Sequence, residues 1–222
     1  MVRGLIFDVD GTLVSLKVDG EKLRSTTARE LVKNGFDVSF MAGNNLTTQE
    51  IIDRAKEQVE SGKVKIDFGS FRASLSAALD ALEMDWNALA EPIPGTVDIL
   101  DSLRAKDVKL ATLTNSGRAP SEWLLRRHDL LRHFDFTLSR DDVAKLKPSP
   151  DGIIKAITLM GLPRDEVVYV GDSVIDVRAA RSAGIKVASV TTGRYTRERL
   201  IEEGSDYIMG SLAGLLDLVG PR

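Results

Sequence analysis

Five short apolar runs punctuate the chain, at Leu5 to Thr12, Val108 to Thr114, Phe134 to Leu138, Val167 to Val170 and Ile185 to Val190. The first, Leu5-Ile6-Phe7-Asp8-Val9-Asp10-Gly11-Thr12, stops at a glycine turn. Runs this short predict strands buried on both faces. Helical spacing separates the later ones. Thr96 to Lys106 places Val97, Leu100 and Leu103 three apart. Ser149-Pro150 predicts an N-cap followed by proline at the first helical position. Ile153, Ile154, Ile157 and Met160 then share a face, and Gly161 closes the helix. Val174 to Ala183 ends the same way at Gly184. Strands alternating with helices predict an α/β fold built on a Rossmann-like parallel sheet.

One stretch breaks this alternation. From about Leu16 to Ala90 the pattern is helical throughout. Glu21 to Asn34 stops at Gly35. Thr47-Thr48-Gln49-Glu50 fits a capping box, with Ile51, Ile52, Ala55 and Val59 following on one face until Gly62. Phe71, Leu75, Ala78, Leu79 and Leu82 form an amphipathic stripe. The return segment Glu91-Pro92-Ile93-Pro94-Gly95 predicts a hinge, because proline disfavours helix in the residue before it. The expected organisation is a core of residues 1–15 and 91–222 with a helical domain, 16–90, inserted after the first strand.

Composition narrows the function classes. The 222 residues carry 30 Lys+Arg against 33 Asp+Glu, a net charge of −3. That balance excludes a generally basic nucleic-acid binder. Without cysteine there is no disulfide, thiolate metal site or cysteine nucleophile. No apolar run approaches the ~20 residues that span a bilayer, and no secretory pattern opens the chain. The expectation is a cytoplasmic monomer or homodimer with no membrane or nucleic-acid partner.

Four pieces stand at or near the ends of the predicted strands: Asp8-x-Asp10-Gly11-Thr12, Thr114-Asn115, Lys147-Pro148 and Gly171-Asp172-Ser173-x-x-Asp176. Open α/β sheets bind ligands in the crevice at those ends. Asp8, Asp10, Asp172 and Asp176 would crowd carboxylates into one cleft, which raises their pKa values unless a cation intervenes. Oxygen donors without His or Cys favour Mg²⁺ over zinc. Mg²⁺ in turn keeps positions for substrate phosphate oxygens, with Thr114 and Lys147 as further donors. On a straight strand Asp8 and Asp10 would share a face, and a turn at Gly11 can redirect Asp10. His128 and His133 suit a helix C-terminus. Arg194, Arg197 and Arg199 read as a solvated face, with a phosphate or partner contact as the alternative because Thr191 to Tyr195 follows a strand at the active-site edge.

With these motifs in this order, the chain resembles the haloacid dehalogenase superfamily, in the branch of phosphoglycolate phosphatase, pyrophosphatase and β-phosphoglucomutase. The resemblance implies that Asp8 is the nucleophile that becomes an aspartyl phosphate and that Asp10 is the general acid–base. It implies that Thr114 holds a phosphoryl oxygen and that Lys147 orients nucleophile and phosphate. Asp172 resembles the direct Mg²⁺ ligand, joined by the Asp8 carboxylate and the Asp10 carbonyl, with Asp176 in support. Asp10 points to phosphate esters or anhydrides rather than carbon–halogen bonds. The insert resembles an α-helical cap, in which Asn44 and Asn45 rank first as substrate contacts, ahead of Lys17, Lys63 and Arg72; Asn115 joins the substrate-binding set. Many relatives carry an acidic residue just after the first motif, where this chain has Val14-Ser15-Leu16. The expected activity is a Mg²⁺-dependent phosphatase for a small phosphorylated metabolite such as phosphoglycolate. A phosphomutase is the alternative, followed by a non-catalytic phosphate-binding relative.

Overall fold

The computed structural model describes residues 1–16, 18–44 and 46–220. It divides into two compact units, one made of residues 1–17 and 87–222 and the other of residues 18–86. Lys17 and Asn45 lie outside the described residues.

The helical unit holds α1 (Gly20–Lys33), α2 (Thr48–Glu60) and α3 (Phe68–Asn87), whose last residue reaches the other unit. Each start has a local cause. The Asp19 carboxylate accepts from the Lys22 amide at the head of α1. The Thr47 and Glu50 side chains close the expected capping box on α2. Both chain reversals after these helices use glycine at positive φ, Gly35 at 80° and Gly62 at 75°. Ile51, Ile52, Ala55, Phe71, Leu75, Leu79 and Leu82 of the predicted stripes are buried, as is Leu31 of α1, while Val59 and Ala78 are half-buried. The Phe36 and Phe71 rings lie 4.6 Å apart.

The other unit is a six-stranded parallel sheet with helices on both faces. Its elements are β1 (Gly4–Phe7), β2 (Val14–Ser15), β3 (Glu91–Pro92), α4 (Thr96–Ala105), β4 (Lys109–Leu113), α5 (Arg118–Arg127), β5 (Phe136–Leu138), α6 (Asp151–Met160), β6 (Val167–Gly171), α7 (Val174–Ala183), β7 (Lys186–Val190), α8 (Arg197–Glu203), β8 (Tyr207–Met209) and α9 (Leu215–Val219). The sheet order is β5-β4-β1-β6-β7-β8, with every pair parallel. Alternation along the strands builds two cores. Leu5, Phe7, Leu110, Val168 and Val170 pack with Leu100, Leu103, Leu124 and Leu215 from α4, α5 and α9. Ile6, Ala111, Leu113 and Tyr169 face the other way, onto Ile153, Ala156, Val177 and Ala180 of α6 and α7. Burying both strand faces is why these runs are mostly apolar and do not alternate with charged residues.

Three local expectations change. The segment expected as a hinge is partly a strand: Glu91–Pro92 pairs antiparallel with Val14–Ser15. Those two residues of each partner form the whole ribbon, too short to show any alternation. Helix α6 opens at Asp151 with Pro150 as its cap residue, not at Pro150 behind Ser149. The reason is local: the Ser149 amide closes a turn on the Leu146 carbonyl and its hydroxyl donates to the Asp151 carboxylate at 2.7 Å. Strand β8 is an addition, a half-buried three-residue edge.

Candidate active site

The chain leaves β1 at its centre, builds β4 and β5 on one side, then returns to build β6 to β8 on the other. The strands beside β1 are therefore β4 and β6, and their C-terminal ends open at one place, the switch point of the sheet. Register sharpens this. Phe7 pairs with both Thr112 and Val170. Asp8 follows Phe7, and Thr114 and Asp172 lie two residues beyond their β1-paired neighbours. Three of the motifs thus meet at one level for topological reasons.

Asp8, Asp172 and Asp176 are buried, with carboxylate oxygens within 4.8 Å of one another. Lys147 reaches this group from the loop before α6. Its Nζ donates to Asp8 Oδ1 at 2.6 Å, to Asp176 Oδ1 at 2.8 Å and to the Tyr169 hydroxyl at 2.8 Å. Lys147 is placed by Asn115, whose side-chain amide donates to the Lys147 carbonyl at 3.0 Å and accepts from its amide at 2.9 Å. The buried Arg140 in turn donates to the Asn115 carbonyl at 3.1 Å. Asp176 is set by its helix: Ser173 and Asp176 form a capping box at the head of α7, with the Ser173 hydroxyl and amide donating to Asp176 Oδ2 at 2.5 and 3.1 Å. Both Asp176 oxygens therefore already hold protein donors.

Asp10 turns away from the strand direction, as Gly11 at φ 92° permits. Its Oδ2 accepts from the Ser116 hydroxyl at 2.8 Å and the Thr114 hydroxyl at 3.3 Å. Space around Asp172 is tight. A Cβ on Gly11 would lie 2.6 Å from its Oδ2, and one on Gly193 would collide with the same carboxylate outright. The loop carrying Gly193 is tied to the turn by the Thr192 hydroxyl, which donates to the Gly11 carbonyl at 2.9 Å.

The electrostatics follow from burial. Desolvation pushes Asp8 well above the usual carboxylate range; Lys147 opposes this and the neighbouring aspartates reinforce it. Asp10 is raised by burial too, against the Ser116 hydrogen bond. Asp172 is pushed up to about 7 by burial and by Asp176. Burial pulls the Lys147 ammonium down, yet Asp176, Asp8 and Tyr169 outweigh it and hold it well above the usual lysine range. Four carboxylates thus share one ammonium, the condition that a divalent cation relieves. An all-oxygen donor set with raised carboxyls fits a hard cation such as Mg²⁺.

The structure brings together Asp8, Asp10, Thr114, Lys147, Asp172 and Asp176, and it adds Asn115 through the Lys147 backbone. Asn44 lies in the helical unit, where its side chain donates to the Phe40 carbonyl at 2.9 Å. His128 faces the Ala90 carbonyl, and His133 faces Asp101. Sequence reasoning missed Ser116, Tyr169, Gly193 and Arg140. Two carried a signal: the loop Thr191 to Tyr195, which holds Gly193, follows a strand at the edge of the site, and one hydroxyl within the buried run Val167-Val168-Tyr169-Val170 requires a polar partner.

The family model of haloacid dehalogenase-like hydrolases matches residues 5–190. The chain belongs to this family. It is similar to phosphoglycolate phosphatase 1 of Pseudomonas aeruginosa, at 31% identity over 221 residues, 96% of this chain and 78% of that protein. It is also similar to the glyceraldehyde 3-phosphate phosphatase of Methanocaldococcus jannaschii, at 27% identity over 224 residues, 99% of this chain and 97% of that one. In fold it matches the crystal structure of a hydrolase from Pseudomonas syringae with a TM-score of 0.65 and 22% identity, covering 98% of this chain and 97% of that chain. Haloacid dehalogenase-like phosphatases generally use a divalent metal, and this member holds a buried aspartate cluster suited to one. No helix among the described residues is long and apolar enough to cross a membrane.

Proposed function

We propose that this member of the family is a Mg²⁺-dependent phosphatase that hydrolyses a small phosphorylated metabolite through an aspartyl phosphate on Asp8. The observation that carries the reading is Lys147, buried and bonded to Asp8 and Asp176 amid surplus carboxylates. The arrangement needs an additional cation, and its natural counterpart is an anionic substrate. The named relatives point to small phosphate monoesters, with a phosphoglycolate-like compound as the candidate substrate.

Mg²⁺, held by Asp8, Asp172 and the Asp10 carbonyl with Asp176 in support, would offset charge on nucleophile and phosphoryl oxygens. The Asp8 carboxylate attacks phosphorus, forming one P–O bond while the ester P–O bond breaks. Asp10, raised by burial, carries the proton that the leaving oxygen takes. The resulting Asp10 carboxylate then accepts a proton from water, which attacks phosphorus and releases orthophosphate from Asp8. Thr114 and Lys147 offer donors to charge spread over the equatorial oxygens. Ser116 keeps Asp10 aimed during both proton transfers.

The test is hydrolysis of p-nitrophenyl phosphate with MgCl₂ or EDTA. Wild type is expected to require Mg²⁺, and Asp8→Asn to lose more than about 10⁴-fold in turnover. Hydrolysis surviving in Asp8→Asn would overturn the mechanism.

A further inference from the structure

We propose that Tyr169 is a positioning residue of this site, whose hydroxyl holds the third proton of the Lys147 ammonium and gives it up to the phosphoryl group of an arriving substrate. The inference rests on the phosphatase reading above. An ammonium has three N–H donors and no acceptor. In Lys147 all three are engaged, with Asp8 at 2.6 Å, Asp176 at 2.8 Å and Tyr169 at 2.8 Å. A phosphoryl oxygen that meets this ammonium must displace one of them. Two partners are carboxylates, whose full negative charge attracts the ammonium in a buried site far more strongly than the dipole of an uncharged hydroxyl does. Tyr169 is the neutral partner and therefore the one that yields.

The hydroxyl is built for such an exchange. Its own proton has acceptors independent of Lys147, Asp176 Oδ1 at 3.0 Å and the Leu113 carbonyl at 3.3 Å, so the O–H stays bonded when Lys147 is released. It cannot swing away. Tyr169 sits on β6 between β1 and β7, in register with Ile6 and Val187, and its ring is fully buried. An aliphatic side chain there would leave the buried ammonium one acceptor short whenever substrate is absent, a cost of the kind that buried polar groups avoid.

Tyr169→Phe keeps the ring and deletes one oxygen. The readouts are Mg²⁺-dependent hydrolysis of p-nitrophenyl phosphate and its competitive inhibition by orthophosphate. With no hydroxyl to displace, the variant is expected to show a KM and an orthophosphate Ki lower by about threefold to tenfold, while kcat does not rise. A purely structural hydroxyl would not tighten anion binding. An unchanged or raised Ki would overturn the proposal, and so would failure of the variant to fold, which would make the hydroxyl a structural necessity. If wild type hydrolyses no phosphate ester, the phosphatase reading fails on its own. Orthophosphate titration of the Mg²⁺-loaded proteins by calorimetry then decides the exchange: tighter binding by Tyr169→Phe upholds it, and equal or weaker binding refutes it.

Discussion

Replacing Asp172 by asparagine is expected to stabilise the metal-free protein and to end its stabilisation by Mg²⁺. Burial and the Asp176 charge push the Asp172 carboxyl to about 7, against an ordinary value of 3.8. Unfolding returns it to that ordinary value. A carboxyl raised in the folded state stabilises the fold fully below the unfolded pKa, and the benefit disappears as pH rises through the folded one. For Asp172 the loss runs from about pH 4 to about pH 7, and at about 1.36 kcal/mol per unit it totals roughly 4 kcal/mol. Asparagine removes the charge and keeps the shape. That matters because Gly11 and Gly193 leave no room for a larger group. The Thr12 hydroxyl, 3.4 Å from Asp172 Oδ1, retains an oxygen to donate to. For a chain of this size, 4 kcal/mol corresponds to a Tm gain on the order of 8–15 °C. The assay is thermal unfolding in EDTA at about pH 5 and about pH 8, and in Mg²⁺ at about pH 8. Wild type should melt lower at the higher pH without metal and recover with Mg²⁺. The variant should be flatter with pH and nearly indifferent to Mg²⁺. If Asp172→Asn melts at or below wild type in EDTA at pH 8, the argument from crowded carboxylates is wrong.

Two further substitutions probe the supports of the site. Ser116→Ala removes the 2.8 Å bond to Asp10 and leaves only the 3.3 Å contact from Thr114, so kcat on p-nitrophenyl phosphate should fall about 10–100-fold with KM little changed. Gly193→Ala sets a methyl against the Asp172 carboxylate, so the Mg²⁺ concentration for half-maximal activity should rise about 10–100-fold; a normal Mg²⁺ titration would show that the loop yields freely.

Much of the α/β unit was legible because its signals are local. The strand runs at Val108 to Thr114 and Val167 to Val170 are mostly apolar without alternation, and Leu110 to Leu113 and Val167 to Val170 are buried, as a doubly covered strand requires. The capping box at Thr47 and the glycine stop at Gly161 are contained within a few residues. Legibility failed where pairing is distant and short. Two residues at Glu91 and Pro92 hold no period, and their strand identity exists only because Val14 and Ser15 lie opposite. The site divides in the same way. Asp8, Thr114, Lys147 and Asp172 stand in recognisable motifs, whereas Ser116 and Gly193 acquire meaning only from contacts 106 residues away with Asp10 and across the cleft with Asp172.

Sequence alone therefore determined the chemical types at the site and the strands that carry them, because side-chain identity and hydrophobic period are properties of neighbouring residues. Only the tertiary structure decided which groups touch. That Asn115 clasps the backbone of Lys147 rather than pointing outward, and that all three ammonium protons of Lys147 are engaged, depends on strands β4, β1 and β6 lying side by side. The parallel register brings distant residues within hydrogen-bond reach, and no local pattern records that.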